Sequence, residues 1–326
     1  MTPQAPGAAA PEAPAIVLVT PRSLTAAGLD QVAALQPLRD LGCTLVPGPA
    51  GRQPTAADLA ELLPPITHWI AGVEPITAAV LAAAPNLKVI SRYGVGVDAV
   101  DLAAAAAQGI TVERAVGANA RGVAELALAL ILAGLRGTAP AHRALVEGRW
   151  ERDQGRELPD CTVGVVGLGA IGRLVAGFAK ALGATVLGHD PWADQGAIAA
   201  HIHHHVTLEE LLAGSDVVTL HCPPPPDGRP VIAAPQLAAL PPGAVLVNTA
   251  RASLVDDAAV LAALNAGHLA AYGVDAYDQE PPAVTELLAH PKVIATPHLG
   301  GFTGASTRRM AELAVANVVK HVTAQG

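Results

Sequence analysis

The run VGVVGLGAIGRLVAGFAKALGATVLGHD, residues 163 to 190, constrains this chain more than any other feature, because strand, glycine turn, helix, second strand and acid follow one another without interruption. Thr162 to Val166 reads as a strand and Arg173 to Leu182 as a helix with Val175, Phe178, Ala179 and Leu182 on one face. Gly167, Gly169 and Gly172 make the turn between them. The first permits a tight bend, the second lets backbone approach a pyrophosphate, and the third lets the helix pack closely on the strand with its N–H groups toward the phosphates. Asp190 ends the second strand. A carboxylate there accepts the hydroxyls of an adenosine ribose and repels a 2′-phosphate, since like charges about 4 Å apart cost roughly 1 kcal/mol in water and about 4 at an effective dielectric near 20. The expected cofactor is NAD rather than NADP.

A chain of 326 residues is long enough for two domains, and its 51% hydrophobic content allows each a full core. With aromatics at 2%, those cores must be built from Ala, Val, Leu and Ile. A net charge of −8 without a Lys/Arg cluster argues against a nucleic-acid or anionic-membrane surface. Cys43, Cys161 and Cys222 are odd in number, unlike a disulfide framework, and fit a reducing compartment. Cys222, near a strand end, reads as a buried small hydrophobe rather than a nucleophile. The opening MTPQAPGAAAPEAP has neither a basic region nor an apolar one, so residues 1–14 are expected to be a flexible arm and not a signal peptide. The longest apolar stretch, within Leu126 to Leu135, is far short of a bilayer span. A cytoplasmic protein is expected.

Strand-like and helical runs alternate from Ile16 onward, the pattern of an α/β protein on parallel sheets. Strands are expected at Ile16 to Thr20 and Val89 to Ser91, then at Val217 to Leu220, Ala244 to Val247, Tyr272 to Val274 and Val293 to Ala295. Gly122 to Arg136 reads as a long apolar helix. Six strands from Val163 to Ala295 complete one doubly wound sheet, which leaves the N-terminal hundred or so residues as a separate unit. The last helix, Ser306 to His321, is expected to return to that unit. The domain reading is therefore 15–113 with 299–326 as a discontinuous substrate domain and 114–298 as the dinucleotide domain, with the active site in the cleft between them. The tract HIHHHV, with His201, His203, His204 and His205, reads as a solvent-facing loop or edge strand rather than a metal site.

Ligands of doubly wound sheets bind beyond the carboxyl ends of the strands. Arg251, Asp275, Glu280 and His298 all follow strands there. Oxidation of a 2-hydroxy acid needs a cation for the carboxylate and the C2 oxygen, a proton acceptor, and a group that tunes the acceptor. Arg251 suits the first because its fork matches a carboxylate bidentately. His298 suits the second, and Glu280 the third, since a nearby carboxylate favours imidazolium. Asp98, Asp101 and Glu125 share no such address and read as caps or solvated surface.

The blocks PNLKVISRYGVGVDAVDLAAAAAQGITV, VAELALALIL, VGVVGLGAIGRLVA, LEELLAGSDVVTLHCP, GAVLVNTARASLVD, GVDAYDQEPP and TPHLGG, in that order, resemble the D-isomer-specific 2-hydroxyacid dehydrogenase family over nearly the whole chain. The likeness extends to its phosphoglycerate dehydrogenase-like and glyoxylate/hydroxypyruvate reductase-like members. It implies Arg251, Glu280 and His298 as the catalytic trio. It also implies cofactor contacts at Ala170, Ile171, Asp190, Thr249, Ala250, Asp275 and Gly300, beside the three turn glycines. Backbone amides of Gly94, Val95 and Gly96 would hold the substrate carboxylate, as a nest holds an anion. Two Rossmann-like domains and a homodimer joined through the cofactor domain are further implications.

The chain departs from the family where Ala99 replaces Asn, Ala252 replaces Gly and Val116 replaces Pro. Were positive φ required at Ala252, the alanine would cost about 1 kcal/mol and could displace Arg251. Members acting on phosphoglycerate carry arginine near the loop matched here by Ile70-Ala71-Gly72-Val73, which is apolar or small, with Arg92 the nearby cation. A small unphosphorylated acid such as glyoxylate, hydroxypyruvate or pyruvate is the first expectation. D-3-phosphoglycerate, or a non-catalytic NAD(H)-sensing role as in corepressors similar to this family, are the alternatives.

Overall fold

The computed structural model describes residues 14–324, so the expected arm lies, save Pro14, outside the described residues. The chain forms two compact units, one running up to Ala118 and resuming at Thr307, the other Asn119–Ser306.

The first unit carries β1 (Ile16–Val19), β2 (Thr44–Pro47), β3 (His68–Ala71), β4 (Val89–Arg92) and β5 (Thr111–Arg114), all parallel, in the order β2-β1-β3-β4-β5. The runs IVLV and HWIA lack polar alternation because both faces of the sheet are covered. Leu18, Trp69 and Ile90 point to one side, into a core closed by Leu59 and Leu81. Val17, Val19 and Ile70 point to the other, where Ala311, Ala314, Val315 and Val318 of the C-terminal helix Gly304–Thr323 cover them. Asp101 caps the helix Leu102–Ala107 by accepting from the Ala104 N–H at 2.9 Å.

The second unit holds β6 (Thr162–Val166), β7 (Thr185–His189), β8 (His204–His205), β9 (Val217–Leu220), β10 (Ala244–Asn248), β11 (Leu269–Val274) and β12 (Val293–Ala295), parallel and in the order β12-β11-β10-β9-β6-β7-β8. Six of these were expected, and the seventh is a two-residue edge strand made by the histidine tract. Three helices matter to the argument: α1 (Ala120–Arg136), α2 (Thr138–Val146) and α3 (Ala170–Ala181). A Cβ on Gly134 of α1 would meet Val245 Cγ1 at 2.7 Å, so glycine sets how closely α1 lies on β10. Helix α3 begins three residues before the expected Arg173, because Gly169 is its N-cap and Ala170 already has helical backbone. The glycines that lower helix propensity in that turn hid the true start.

Both units thus have the chain reversals of open α/β sheets, with switch points between β1 and β3 and between β6 and β9.

Candidate active site

The glycine turn follows β6 at the second switch point. Gly167 has φ 91°, and a Cβ there would meet the Cys222 N at 2.6 Å. A Cβ on Gly172 would collide with the Gly167 carbonyl oxygen, so the helix can approach the strand only as glycine. At Gly169, by contrast, a Cβ would meet nothing within 4 Å, and no side chain caps the start of α3. Its first N–H groups, beginning at Ala170 and Ile171, thus have no side-chain cap, an arrangement that suits an anion. Asp190 follows β7, its Oδ2 accepting from the Leu168 N–H at 2.8 Å and its Oδ1 from the Trp192 N–H at 3.0 Å.

Beyond β10, fully buried Asn248 shapes the turn that carries Thr249, Ala250 and Arg251: its Nδ2 donates to the Arg251 carbonyl at 2.8 Å and its Oδ1 accepts from the Ala250 N–H at 3.0 Å. The Arg251 guanidinium donates to the Ala250 carbonyl at 2.7 Å. The Thr249 hydroxyl is out of solvent and has no partner in the protein. Ala252 opens a short 3-10 turn without positive φ, so the family glycine is not needed there for backbone conformation.

Asp275, just beyond β11 and 2% exposed, organises the segment that bears His298. Its Oδ1 accepts from the Thr296 hydroxyl at 2.5 Å and the Leu299 N–H at 2.7 Å, and its Oδ2 from the Gly300 N–H at 2.8 Å. The Tyr277 hydroxyl donates to the Thr296 carbonyl at 2.8 Å. Held from both sides, His298 adopts φ 51°, the only positive φ outside glycine among the described residues. Left-handed backbone costs an L-residue roughly 1–2 kcal/mol, which these hydrogen bonds offset. The Nδ1 of His298 meets Glu280 Oε1 at 2.5 Å, both side chains half exposed. With Glu280 accepting from Nδ1–H, Nε2 is free to take or give a proton.

Sequence reasoning missed the part played by Asp275, Asn248 and Tyr277 in shaping these loops. The NTAR and GVDAY words held the signal, as polar residues directly after apolar strands. Cys222 is partly buried and its thiol is pushed up to about 11, chiefly by burial, unlike an activated nucleophile.

In the first unit, Gly94 has φ 147° and its carbonyl accepts from the Ala115 N–H at 2.9 Å. Arg92 is 5% exposed, and its guanidinium donates to the carbonyls of Gly96 and Ala71, each at 3.1 Å. Burial lowers its pKa, while Glu74 and Asp98 nearby favour its charge. Among the described residues no group of three or more His, Cys, Asp or Glu could hold a metal, and no single helix is long and apolar enough to cross a membrane.

Residues 128–300 match the model of the D-isomer specific 2-hydroxyacid dehydrogenase, NAD binding domain. The chain is 34% identical over 271 residues to a hydroxypyruvate reductase of Thermotoga maritima, covering 81% of this chain and 88% of that one. This chain belongs to the D-isomer specific 2-hydroxyacid dehydrogenase family. The match to the family's NAD-binding domain lies within the second unit, and NAD is the cofactor. A D-3-phosphoglycerate dehydrogenase of Mycobacterium bovis is 42% identical over 236 residues, 72% of this chain but 45% of the relative, so the chain spans less than half its length. The crystal structure of D-lactate dehydrogenase from Aquifex aeolicus, complexed with NAD and lactic acid, is 26% identical with a TM-score of 0.79, covering 95% of this chain and 96% of that one. The glycine cradle and the unpartnered Thr249 hydroxyl fit that dinucleotide.

Proposed function

We propose that the protein interconverts a small, unphosphorylated D-2-hydroxy acid and its 2-keto acid, with Arg251, Glu280 and His298 as its catalytic residues. The observation that carries this reading is the 2.5 Å contact between His298 Nδ1 and Glu280 on a segment held at positive φ. NAD, when bound, supplies or removes the hydride. His298 Nε2 accepts the C2 hydroxyl proton in oxidation and returns it to the carbonyl oxygen in reduction, help worth about 10² to 10⁴ in rate. Glu280 fixes the tautomer and stabilises the imidazolium that forms. Arg251 polarises the C2 oxygen and pairs with the carboxylate, and the backbone amides of Gly94, Val95 and Gly96 are the nest suited to a carboxylate. Gly167, Gly169, Gly172, Ala170 and Ile171 take the pyrophosphate, Asp190 the adenosine ribose, and Thr249, Ala250, Asp275 and Gly300 the nicotinamide half.

Two observations favour an unphosphorylated substrate over D-3-phosphoglycerate. The loop Ile70-Ala71-Gly72-Val73 has no cation. Arg92 is 5% exposed, donates to two backbone carbonyls, and has Glu74 and Asp98 favouring its charge inside the protein. Exposed Leu132, Leu145, Val146 and Trp150, on and just after α1 and α2, support a homodimer joined through the NAD-binding unit. Three free cysteines support a reducing, cytoplasmic setting.

The test is NADH consumption with glyoxylate, hydroxypyruvate, pyruvate and 3-phosphohydroxypyruvate, repeated with NADPH. Turnover of one of the first three, and at least about tenfold lower efficiency with the phosphorylated acid, is expected on charge grounds. No turnover with any of the four overturns the reading.

A further inference from the structure

The histidine tract has no place in the chemistry above, yet it is wired to the residue that receives the adenosine ribose. Strand β8 is two residues long, paired to β7 only at Leu187↔His204 and Gly188↔His205, too short a ladder to hold an edge by itself. Imidazoles extend it. His203 Nδ1 accepts from the Val186 N–H at 2.9 Å, one end of the strand, and His189 Nδ1 lies 3.0 Å from the Val206 carbonyl. At the other end His205 Nε2 lies 3.0 Å from the Asp190 carbonyl oxygen and 3.3 Å from the Asp190 N. That nitrogen serves one of the two at a time, donating to the carbonyl in one tautomer or accepting from the N–H in the other. The rings of His189 and His205 stack, 6.4 Å between centroids and 14° from parallel.

The backbone of Asp190 is therefore clipped from the edge strand while its carboxylate is bound by the N–H groups of Leu168 and Trp192. Neither carboxylate oxygen is left to choose its own orientation. We propose that His205 is a positioning residue for cofactor selectivity: it fixes Asp190 so that the carboxylate meets the 2′,3′-diol of NAD and opposes a 2′-phosphate. This rests on the reading of Asp190 as the ribose acceptor. A carboxylate that swings freely can turn away from a 2′-phosphate, and discrimination by charge falls with distance. A fixed one cannot.

The experiment compares the full-length protein with His205→Ala, His205→Gln and Asp190→Ala, measuring kcat and KM with NADH and with NADPH, with circular dichroism to confirm folding. Loss of one hydrogen bond predicts that His205→Ala raises the KM for NADH about three- to tenfold, leaves kcat at saturating NADH within about twofold, and does not weaken NADPH. The NADH/NADPH efficiency ratio therefore falls. Asp190→Ala lowers that ratio further, and adding His205→Ala to it changes the ratio no more, because the histidine acts through the acid. His205→Gln, which keeps a side-chain donor and acceptor, restores part of the ratio. The proposal is overturned if His205→Ala weakens both cofactors equally, or leaves the ratio unchanged while Asp190→Ala collapses it. An unchanged ratio in Asp190→Ala instead removes the ribose assignment itself, and the proposal with it.

Discussion

The same sheet edge is built twice in this chain and treated in opposite ways. At the β1/β3 switch point of the first unit, Thr20, Trp69, Gly72 and Glu74 satisfy one another. The Thr20 hydroxyl donates to Glu74, accepts from Trp69 Nε1 at 3.0 Å, and lies 3.2 Å from the Gly72 N–H, which also reaches Glu74 at 2.9 Å. At the β6/β9 switch point of the second unit the helix start has no side-chain cap, a Cβ on Gly169 would meet nothing, and the neighbouring Thr249 hydroxyl has no partner. Topology offers a binding crevice in both places. Whether polar groups are paired within the protein decides which of them is left for a ligand.

The most severe way to break this contrast is at the open edge. His298→Ala is expected to lower turnover about 10²- to 10⁴-fold while the dissociation constant for NADH, read by fluorescence titration, stays within about twofold, because the role proposed for the lost group is with a proton and not the dinucleotide. Retained turnover would mean that the unpaired edge is not where chemistry happens.

One substitution made twice separates pairing from availability. Thr20→Val strips partners from Trp69, Gly72 and Glu74 in a buried network, so unfolding free energy should fall by about 2–5 kcal/mol, measured by urea denaturation. Thr249→Val removes a hydroxyl that has nothing to lose, so stability should hold within about 0.5 kcal/mol while NADH binding weakens up to about tenfold, one hydrogen bond's worth. Equal stability losses in the two variants would erase the difference between the edges.

Each unit also holds a histidine whose charged form is disfavoured by desolvation: His68 is buried, and His221 is half-buried with its Nδ1 out of solvent. His68, with Nε2 unpartnered, is lowered to about 4, by burial first and then by Lys88 and His321. His221, with Nδ1 unpartnered, is lowered to about 3 by burial. Their unfolded values lie near 6.5, so the folded chain binds fewer protons. Stability is complete above that pH and declines as pH falls toward 4 for His68 and toward 3 for His221, by at most about 1.4 kcal/mol per pH unit for each group. Urea midpoints at about pH 7 and about pH 5 should show the decline, and His221→Asn should flatten it. A pH-independent midpoint would remove the two neutral histidines from the account.

The open edge was far more legible in sequence than the closed one. Gly167, Gly169, Gly172 and Asp190 sit within one strand-turn-helix-strand unit, where backbone sterics demand particular residues at particular places. Arg251 and His298 could be placed at that edge because each comes three residues after an apolar strand. The Thr20–Glu74 network could not, since its partners lie 54 residues apart and an acid in a loop reads as solvated. Asp275 was placed at the edge but not its grip on Leu299 and Gly300, which depends on two strands ending side by side. The histidine tract stayed open between loop and edge strand because two residues carry no periodicity.

The smallest expected effect concerns where backbone strain resides at the open edge. Alanine at position 252 differs from the family glycine, yet positive φ outside glycine occurs, among the described residues, at His298 and not at Ala252. Ala252→Gly therefore relieves nothing. It adds chain freedom to the unfolded state, so a loss of about 0.5–1 kcal/mol in stability is expected, with turnover changed less than about twofold because the turn that carries Arg251 is shaped by Asn248. A tenfold rise in turnover would place the strain beside Arg251 instead, and the guanidinium, not the imidazole, would be the group the fold struggles to hold.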